Sequence, residues 1–552
     1  MKNSFVYKEK TIRFLFITGA ILGALCFVAV YGIRVLDCTN VGWLFYGEND
    51  LRQHFIAWCH YRKDPWSFPF GLIESLSYPI KTSVIYSDSI PVFAVIFKLF
   101  DSLLPETFQY FGLFGLISFM MMGGFSAVLL KRFIKSDIIV LLGVLFYVLS
   151  FPILFRMFYH TALASQWIII ASLILLVYDD LIKDSWKKCL YWGIIGFLCV
   201  GIHSYFLPMC AMVLVASMVI QYVKGKKVLP FVELASFVAL GLINMFALGA
   251  FYGNSSGYGE GLGTFGSNLN TFVNPVGMGR ILPTLPLYYD FQYEGMAYLG
   301  AGVIFLFVVL ALGIIIYHKR KIGEVAFYSR KIYANMSLVL AVVSIALATL
   351  PLVSFGDVKI VHIPYPGIVE RLLGIFRSNG RLIWVAFYIV LTAAISITAY
   401  TFRNNARLCI AVFAVAFLIQ LFDMSNTLRE KYEYFTADYE VSTMWDDPHM
   451  TEYTEGKDEF IFMFTDNNDI TLLSAYYGYL HTMRQNNYYF ARDIDEEVNK
   501  GIEEVYAELE SNRVRDDAVY IFREEDYLKR QELLDDLNLK TIAGGGIVVL
   551  TK

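Results

Sequence analysis

FLFITGAILGALCFVAVYGIRV, residues 14–35, runs from Phe14 to Ile33 without a charge before it meets Arg34. About twenty such residues cross the hydrocarbon core of a bilayer as one helix. The run is too long for a signal-peptide core, and no small-residue cleavage site follows it, so it is expected to remain as an anchor. The same pattern recurs near 108–130, 138–154, 161–178, 188–201, 203–222, 231–252, 297–317, 333–353, 382–401 and 407–424. That gives about eleven crossings. Ile90–Leu104 is apolar too, but it is short and contains Pro91 and Lys98, which predicts an interfacial or re-entrant helix.

Composition agrees with this reading. Of 552 residues, 57% are hydrophobic and 17% charged, against 45–50% and about 25% in soluble domains. A disordered, collagen-like or ordinary soluble chain is excluded. The overall charge of −4 conceals a division. From Ser425 onward there are 28 acidic and 13 basic residues, a net of −15, while residues 1–424 carry a net of +11. The expected organisation is a transmembrane domain, 1–424, followed by an acidic domain, 425–552.

Lys and Arg in short connections mark the cytoplasmic side. Such groups occur at Lys2–Arg13, Lys131–Lys135, Lys183–Lys188, Lys224–Lys227, His318–Lys331 and Arg403–Arg407. They alternate correctly with eleven crossings if the N-terminus is inside and the tail outside. The long segments 36–89, 252–297 and 354–381 then face outward with the tail. The inner connections are too short for a nucleotide-binding domain, and neither a G-x-x-x-x-G-K-[ST] loop nor a G-x-G-x-x-G turn is present. Chemistry is therefore expected outside, away from soluble nucleotide donors.

Within the tail, Phe460–Phe464, Ala518–Phe522 and Ile547–Leu550 read as buried strands. Glu496–Leu509 and Glu524–Leu537 read as amphipathic helices, making a small α/β unit. Four of seven cysteines lie in apolar runs and Cys189 begins another. Only Cys38 and Cys59 fall in the first outer loop, where a disulfide would be permitted.

That loop concentrates polar groups in GENDLRQHFIAWCHYRKDPWSFPFG, Gly47–Gly71. With Asp50–Tyr61 helical, Asp50, His54 and Trp58 share one face. A carboxylate, an imidazole and an indole there could activate a hydroxyl and stack a sugar. Asp50 is equally placed to cap the helix while the charges face water. Asp88, in YSDSIP, is a second outer carboxylate, and it or Ser89 could cap the segment entered through Pro91. A carboxylate near lipid must be paired or hydrogen-bonded, or its proton affinity rises toward that of a general base. Arg377 and Arg381 in FRSNGRLIW stand four residues apart at the mouth of a crossing, placed to clamp a phosphate or to touch headgroups. Arg156 and His160, in FRMFYH, are candidates to join them. Gly253–Pro275, rich in Gly, Ser and Asn, reads as a flexible outer loop, with Asp290 and Glu294 beyond it. HTMRQNNYYFARD, His481–Asp493, reads as a solvated face, with contact to an acceptor glycan as the alternative.

NDLRQHFIAW, DPWSFPFG, YSDSIPVFAVIFK, FQYFGL, EGMAYLG, FRSNGRLIW and NNYYFARD, taken in order, resemble an uncharacterised family of bacterial multi-pass membrane proteins related to GT-C type glycosyltransferases. The resemblance covers most of the chain. It implies a GT-C-like α-helical polytopic fold with an extracytoplasmic C-terminal α/β domain, in a bacterial cytoplasmic membrane. It also implies transfer of a sugar from a polyprenyl-phosphate carrier to a cell-envelope glycan or lipid-linked acceptor. By position, Asp50 matches the first-loop acid and is the candidate general base, and Asp88 matches the acid of the DSIP segment. Gln53, His54 and Trp58 match the residues after Asp50, and Arg377 and Arg381 match the positions that would meet carrier phosphate. Glu48 forms an E-x-D pair with Asp50, from which no metal is inferred; no cofactor is required, and nucleic acid is not an expected partner. The alternatives are a transporter of polysaccharide or lipid-linked oligosaccharide, and a non-catalytic assembly protein. Nearly charge-free crossings favour surface chemistry over transport.

Overall fold

The structure is a computed structural model that describes residues 9–46, 50–253, 262–317, 331–466, 469–492 and 494–552. By its internal contacts the chain divides into two units. The first comprises Met1–Cys38, Tyr110–Leu242 and Tyr258–Ala437; the second comprises Thr39–Gln109, Ile243–Gly257 and Asp438–Lys552.

The first unit is helical. Among the described residues of the chain, eight helices are long and apolar enough to cross a membrane. They are Glu9–Tyr31, Phe111–Lys131, Asp137–Arg156, Phe206–Val223, Leu229–Leu248, Ile332–Thr349, Asn379–Thr401 and Ala406–Asp423. The chain is thus a multi-pass membrane protein. Three further expected crossings are helical but fall outside that set among the described residues, the third in chain order beginning the helix Ala301–Tyr317. Thr161–Val177 and Ala301–Leu312 are apolar but shorter, and Ser185–Ile202 opens with Lys187 and Lys188, which cut into its apolar length. Pro91–Leu99, at 9 residues, is no crossing.

Small residues set how closely the first two spans approach. A Cβ on Gly19 would fall 2.3 Å from the backbone oxygen of Gly123, and one on Gly123 would fall 2.0 Å from that of Gly19. Only hydrogen fits there, the small-residue packing that membrane helices use where lipid offers no hydrophobic gain. The span Leu229–Leu248 carries a carboxylate. Glu233, in Leu229–Leu248, is buried and accepts a 2.7 Å hydrogen bond from Gln221 Nε2.

The described part of the Gly- and Asn-rich segment is not the flexible loop its composition suggests. Asn268, Asn270 and Asn274 are buried. Asn268 Nδ2 donates to Gln292 Oε1, Ser354 Oγ and the Gly356 carbonyl at 2.8–3.1 Å. Asp423, at the end of the last span, accepts from Arg280 N, Ile281 N, Ala301 N and the Tyr298 hydroxyl at 2.8–3.0 Å. A buried carboxylate with four donors is satisfied without a counter-ion.

The second unit is built on a five-stranded sheet. Across it lie Arg484–Gln485, Glu459–Phe462, Ala518–Arg523, Ile547–Thr551 and Lys540–Gly544, in that order. The first three run parallel to one another, and the last two pair antiparallel. All three expected strands are there. The two outermost strands were not expected, because one has two residues and the other is largely exposed. The helix expected over Glu524–Leu537 is broken into Glu524–Leu528 and Gln531–Asp536. Trp445, Phe460, Phe462, Tyr477 and Val519 fill the core of the sheet.

This unit also contains the first outer loop. Its helix, Leu51–Lys63, is buried along nearly its whole length, so its charges do not simply face water. Arg62 donates to Asp101 Oδ1 at 2.5 Å and to the Glu106 carbonyl at 2.9 Å. His60 sits between Ser75 Oγ at 2.8 Å and the Ala475 carbonyl at 2.7 Å. The segment 485–492, expected to be solvated, is stitched to the loop instead. Gln485 N donates to the Ser75 carbonyl, Tyr78 N to the Gln485 carbonyl, and Ala491 N to the Tyr86 carbonyl, at 2.7–2.9 Å. All seven cysteines are free thiols, so the disulfide admitted for Cys38 and Cys59 is not formed.

Candidate functional site

Asp88 and Ile90 supply the unusual backbone. The 3₁₀ turn Val84–Ser87 ends at Asp88, whose φ is 52°, and two residues later Ile90 has φ 54°. Left-handed backbone costs an L-residue free energy, most of all a β-branched one. Two such residues around one serine persist only where their surroundings hold them, as is common at functional sites. The hold is visible at Ser89. Its hydroxyl donates to the backbone carbonyl of His54 at 2.7 Å and lies 2.9 Å from Ser87 Oγ. Ile90, not Asp88 or Ser89, occupies the cap position of Pro91–Leu99.

The strained turn places the Asp88 carboxylate beside an imidazole, with His54 Nε2 3.8 Å from Asp88 Oδ2. The Asp88 side chain is 23% exposed and that of His54 2%. Burial pushes the His54 imidazole down to about 3, so the ring is neutral near pH 7. A half-open carboxylate against a neutral, sealed imidazole can take a proton from a bound hydroxyl.

The remaining first-loop candidates share the helix with His54. Asp50 stands half-buried at its N-cap position in αR rather than extended backbone. Among the described residues its side chain does not cap the first N–H groups. Gln53 is buried; its Nε2 donates to the Tyr489 carbonyl at 3.1 Å, and its own carbonyl accepts from the Tyr488 hydroxyl at 2.6 Å. Trp58 is fully buried, with Nε1 donating to the Phe108 carbonyl at 2.9 Å. Trp58 therefore offers no stacking surface. Glu48 lies outside the described residues.

In the helical unit, the arginine candidates gather on a residue noted in the sequence only for lying beside a crossing. Glu294 is buried in a 3₁₀ turn, Asp290–Gly295. Its Oε2 accepts from Arg156 Nη2 at 2.6 Å and Arg381 Nε at 2.8 Å, and its carbonyl accepts from Arg156 Nη2 at 2.9 Å. Burial alone would raise the carboxyl's proton affinity. Arg381 and Arg156, with His160, override that and hold it well below the usual range. Arg156 also lies over the Trp384 ring, whose Nε1 donates to the Met296 carbonyl. Arg377 is exposed, with its guanidinium 5.4 Å from the centre of the Phe265 ring. The arginine pair of FRSNGR is thus divided, one member sealed onto a carboxylate and the other open. His160 is half-buried near Glu294. Nothing in the local sequence of Glu294 marks it as the centre of this group; it is found only by folding.

Two family models match the chain. A domain of unknown function, DUF6311, matches residues 20–425, and the DUF6311 C-terminal domain matches residues 450–552. No protein with a curated description matches. Among solved structures, the chain is similar to the apo form of an oligosaccharyltransferase from Archaeoglobus fulgidus. The match has 10% identity and a TM-score of 0.45, and covers 96% of this chain and 72% of that one.

Proposed function

We propose that this chain, which belongs to the DUF6311 family, is an integral-membrane glycosyltransferase whose base is Asp88. The observation that carries the reading is the turn Ser87–Ile90. Its two left-handed residues hold a half-open carboxylate 3.8 Å from a sealed, neutral imidazole. In the reaction, an acceptor hydroxyl oxygen attacks the anomeric carbon and its proton passes to the Asp88 carboxylate. The bond from that carbon to the carrier phosphate breaks, and the phosphate leaves with the electron pair. His54 orients Asp88, Gln53 fixes the helix that carries His54, and Asp50 at the head of that helix is the second carboxylate offered to substrate. The donor in this reading is a sugar on a polyprenyl phosphate, and the acceptor is an envelope glycan or a lipid-linked saccharide. In this reading the N-terminus is cytoplasmic and the C-terminal domain, 425–552, extracytoplasmic, in keeping with the basic connections.

Arg377, the exposed arginine of FRSNGR, is proposed to meet the carrier phosphate, with His160 as a further donor. Arg381 and Arg156 are positioning residues that act through Glu294. A transport reading has one observation in its favour, the carboxylate of Glu233 inside a span; its bond to Gln221 gives it a structural partner. The test is glycan composition in a deletion strain complemented with wild type, Asp88→Asn or Asp50→Asn at equal membrane expression. Loss of one sugar, restored by wild type and not by Asp88→Asn, supports the reading. Loss of whole polymers would favour export instead.

A further inference from the structure

Between the spans Ile332–Thr349 and Asn379–Thr401 the chain forms a strand pair, Leu352–Phe355 against Val358–His362, and then a helix, Gly367–Gly374. A hairpin of a soluble protein turns one face to a core and the other to water. Every residue of Val358–His362 is exposed, and three of the five are Val or Ile. Phe355 and Ile363 extend the apolar surface, with Ile360 57% and Ile368 73% exposed. A bare apolar edge strand is an aggregation hazard in water. Here the segment leaves one membrane-length helix and enters another, so the bilayer surface is continuous with it on both sides. Cationic residues are interleaved with the apolar ones at Lys359, Arg371 and Arg377, with His362 at the strand's end, the mixture of interfacial elements that bury an apolar face below the headgroups. A cavity of about 170 Å³ opens beside the strand, lined by Lys359, His362, Tyr289 and Thr264 among others. An ammonium, an imidazole and two hydroxyls suit a phosphate.

We propose that Leu352–Gly374 seats in the bilayer interface, and that this cavity takes the phosphate of a membrane lipid whose chains lie along Val358, Ile360 and Ile363. The inference does not depend on sugar transfer. The phosphate could belong to a bulk anionic phospholipid or to a polyprenyl-phosphate carrier, and the test separates them.

The full-length protein is reconstituted in phosphatidylcholine vesicles containing phosphatidylglycerol, with a photo-crosslinking residue at position 360 or 368. Leu338, exposed within a span, sets the yield of a lipid-facing site. Lipid adducts at 360 and 368 comparable to that at 338 are expected. Phosphatidylglycerol should be enriched at 360, fall about fivefold for Lys359→Gln, and fall further when His362→Gln removes a second donor. Displacement of that adduct by added polyprenyl phosphate assigns the seat to the carrier; persistence assigns it to bulk lipid. Adducts to water or protein alone would overturn the proposal, as would a phosphatidylglycerol preference unchanged in the double variant.

Discussion

Glu294 Oε2 lies 2.8 Å from Arg381 Nε and 2.6 Å from Arg156 Nη2, so one buried carboxylate oxygen serves two guanidinium groups. Removing one partner of a buried ion pair strands charge in a low dielectric and costs about 3–5 kcal/mol. Glu294→Gln, which strands two arginines, is expected to lower the thermal midpoint in detergent more than Arg377→Gln, which alters an exposed group. Equal midpoints for the two variants would contradict the assignment.

The same carboxyl makes a prediction about pH. Its folded proton affinity lies below its ordinary value of 4.5. Its stabilising contribution is therefore complete above that value and lost as pH falls through the lower, folded one. The acid limb of stability below about pH 4.5 should be shallower in Glu294→Gln than in wild type. Parallel limbs would show that Glu294 is not ionised in the fold.

His54 should respond in the same sense through a different cause. Burial depresses its imidazole from 6.5 to about 3, so the folded state resists protonation while the unfolded state accepts it. The contribution is complete above pH 6.5 and is lost toward 3. Imidazole resonances of a His-labelled sample should therefore include one that stays neutral at pH 5. A full set titrating between pH 6 and 7 would refute the sealed environment.

Contact between the first outer loop and the tail is tested at Tyr488, whose hydroxyl donates to the Gln53 carbonyl at 2.6 Å. Tyr488→Phe should cost about 0.5–1.5 kcal/mol of stability. Lys500→Ala, which breaks an ion pair with Glu496 exposed at both ends, should cost less. Chemical denaturation of the two variants gives the comparison, and a larger loss in Lys500→Ala would reverse the ranking.

Gly19→Val should drive the first two spans apart, because its Cβ position falls 2.3 Å from the Gly123 backbone oxygen. Overpacking of this kind costs about 1–3 kcal/mol. A thermal midpoint equal to that of wild type would mean that the two helices do not approach at these glycines.

The helices were the legible part of the fold, because each apolar run carries its own length and charge boundaries. Eight of the eleven expected crossings are membrane-length apolar helices among the described residues; Ser185–Ile202 is less apolar because it opens with Lys187 and Lys188. Burial of polar segments was not legible. Asn268, Asn274, Asn487 and Gln485 look like loop residues until their partners, more than ten residues away, are in place. In the candidate site, Asp88 and His54 were each visible as outer-loop groups. Their juxtaposition depends on the backbone sign at Asp88 and Ile90, which no residue type there announces; a glycine would have. The pairing of Arg377 with Arg381 is divided in the fold because Glu294 holds Arg381, and an acidic residue 87 positions away leaves no local signal.

The most direct measurement is surface-glycan composition in a deletion strain carrying Asp88→Asn, with His54→Phe and Asp50→Asn in parallel. The substitution at Asp88 keeps size and removes the base. With Asp88 as base, that strain lacks the same single sugar as the deletion, although its membranes hold wild-type amounts of protein. Full restoration of the sugar by Asp88→Asn would contradict the account.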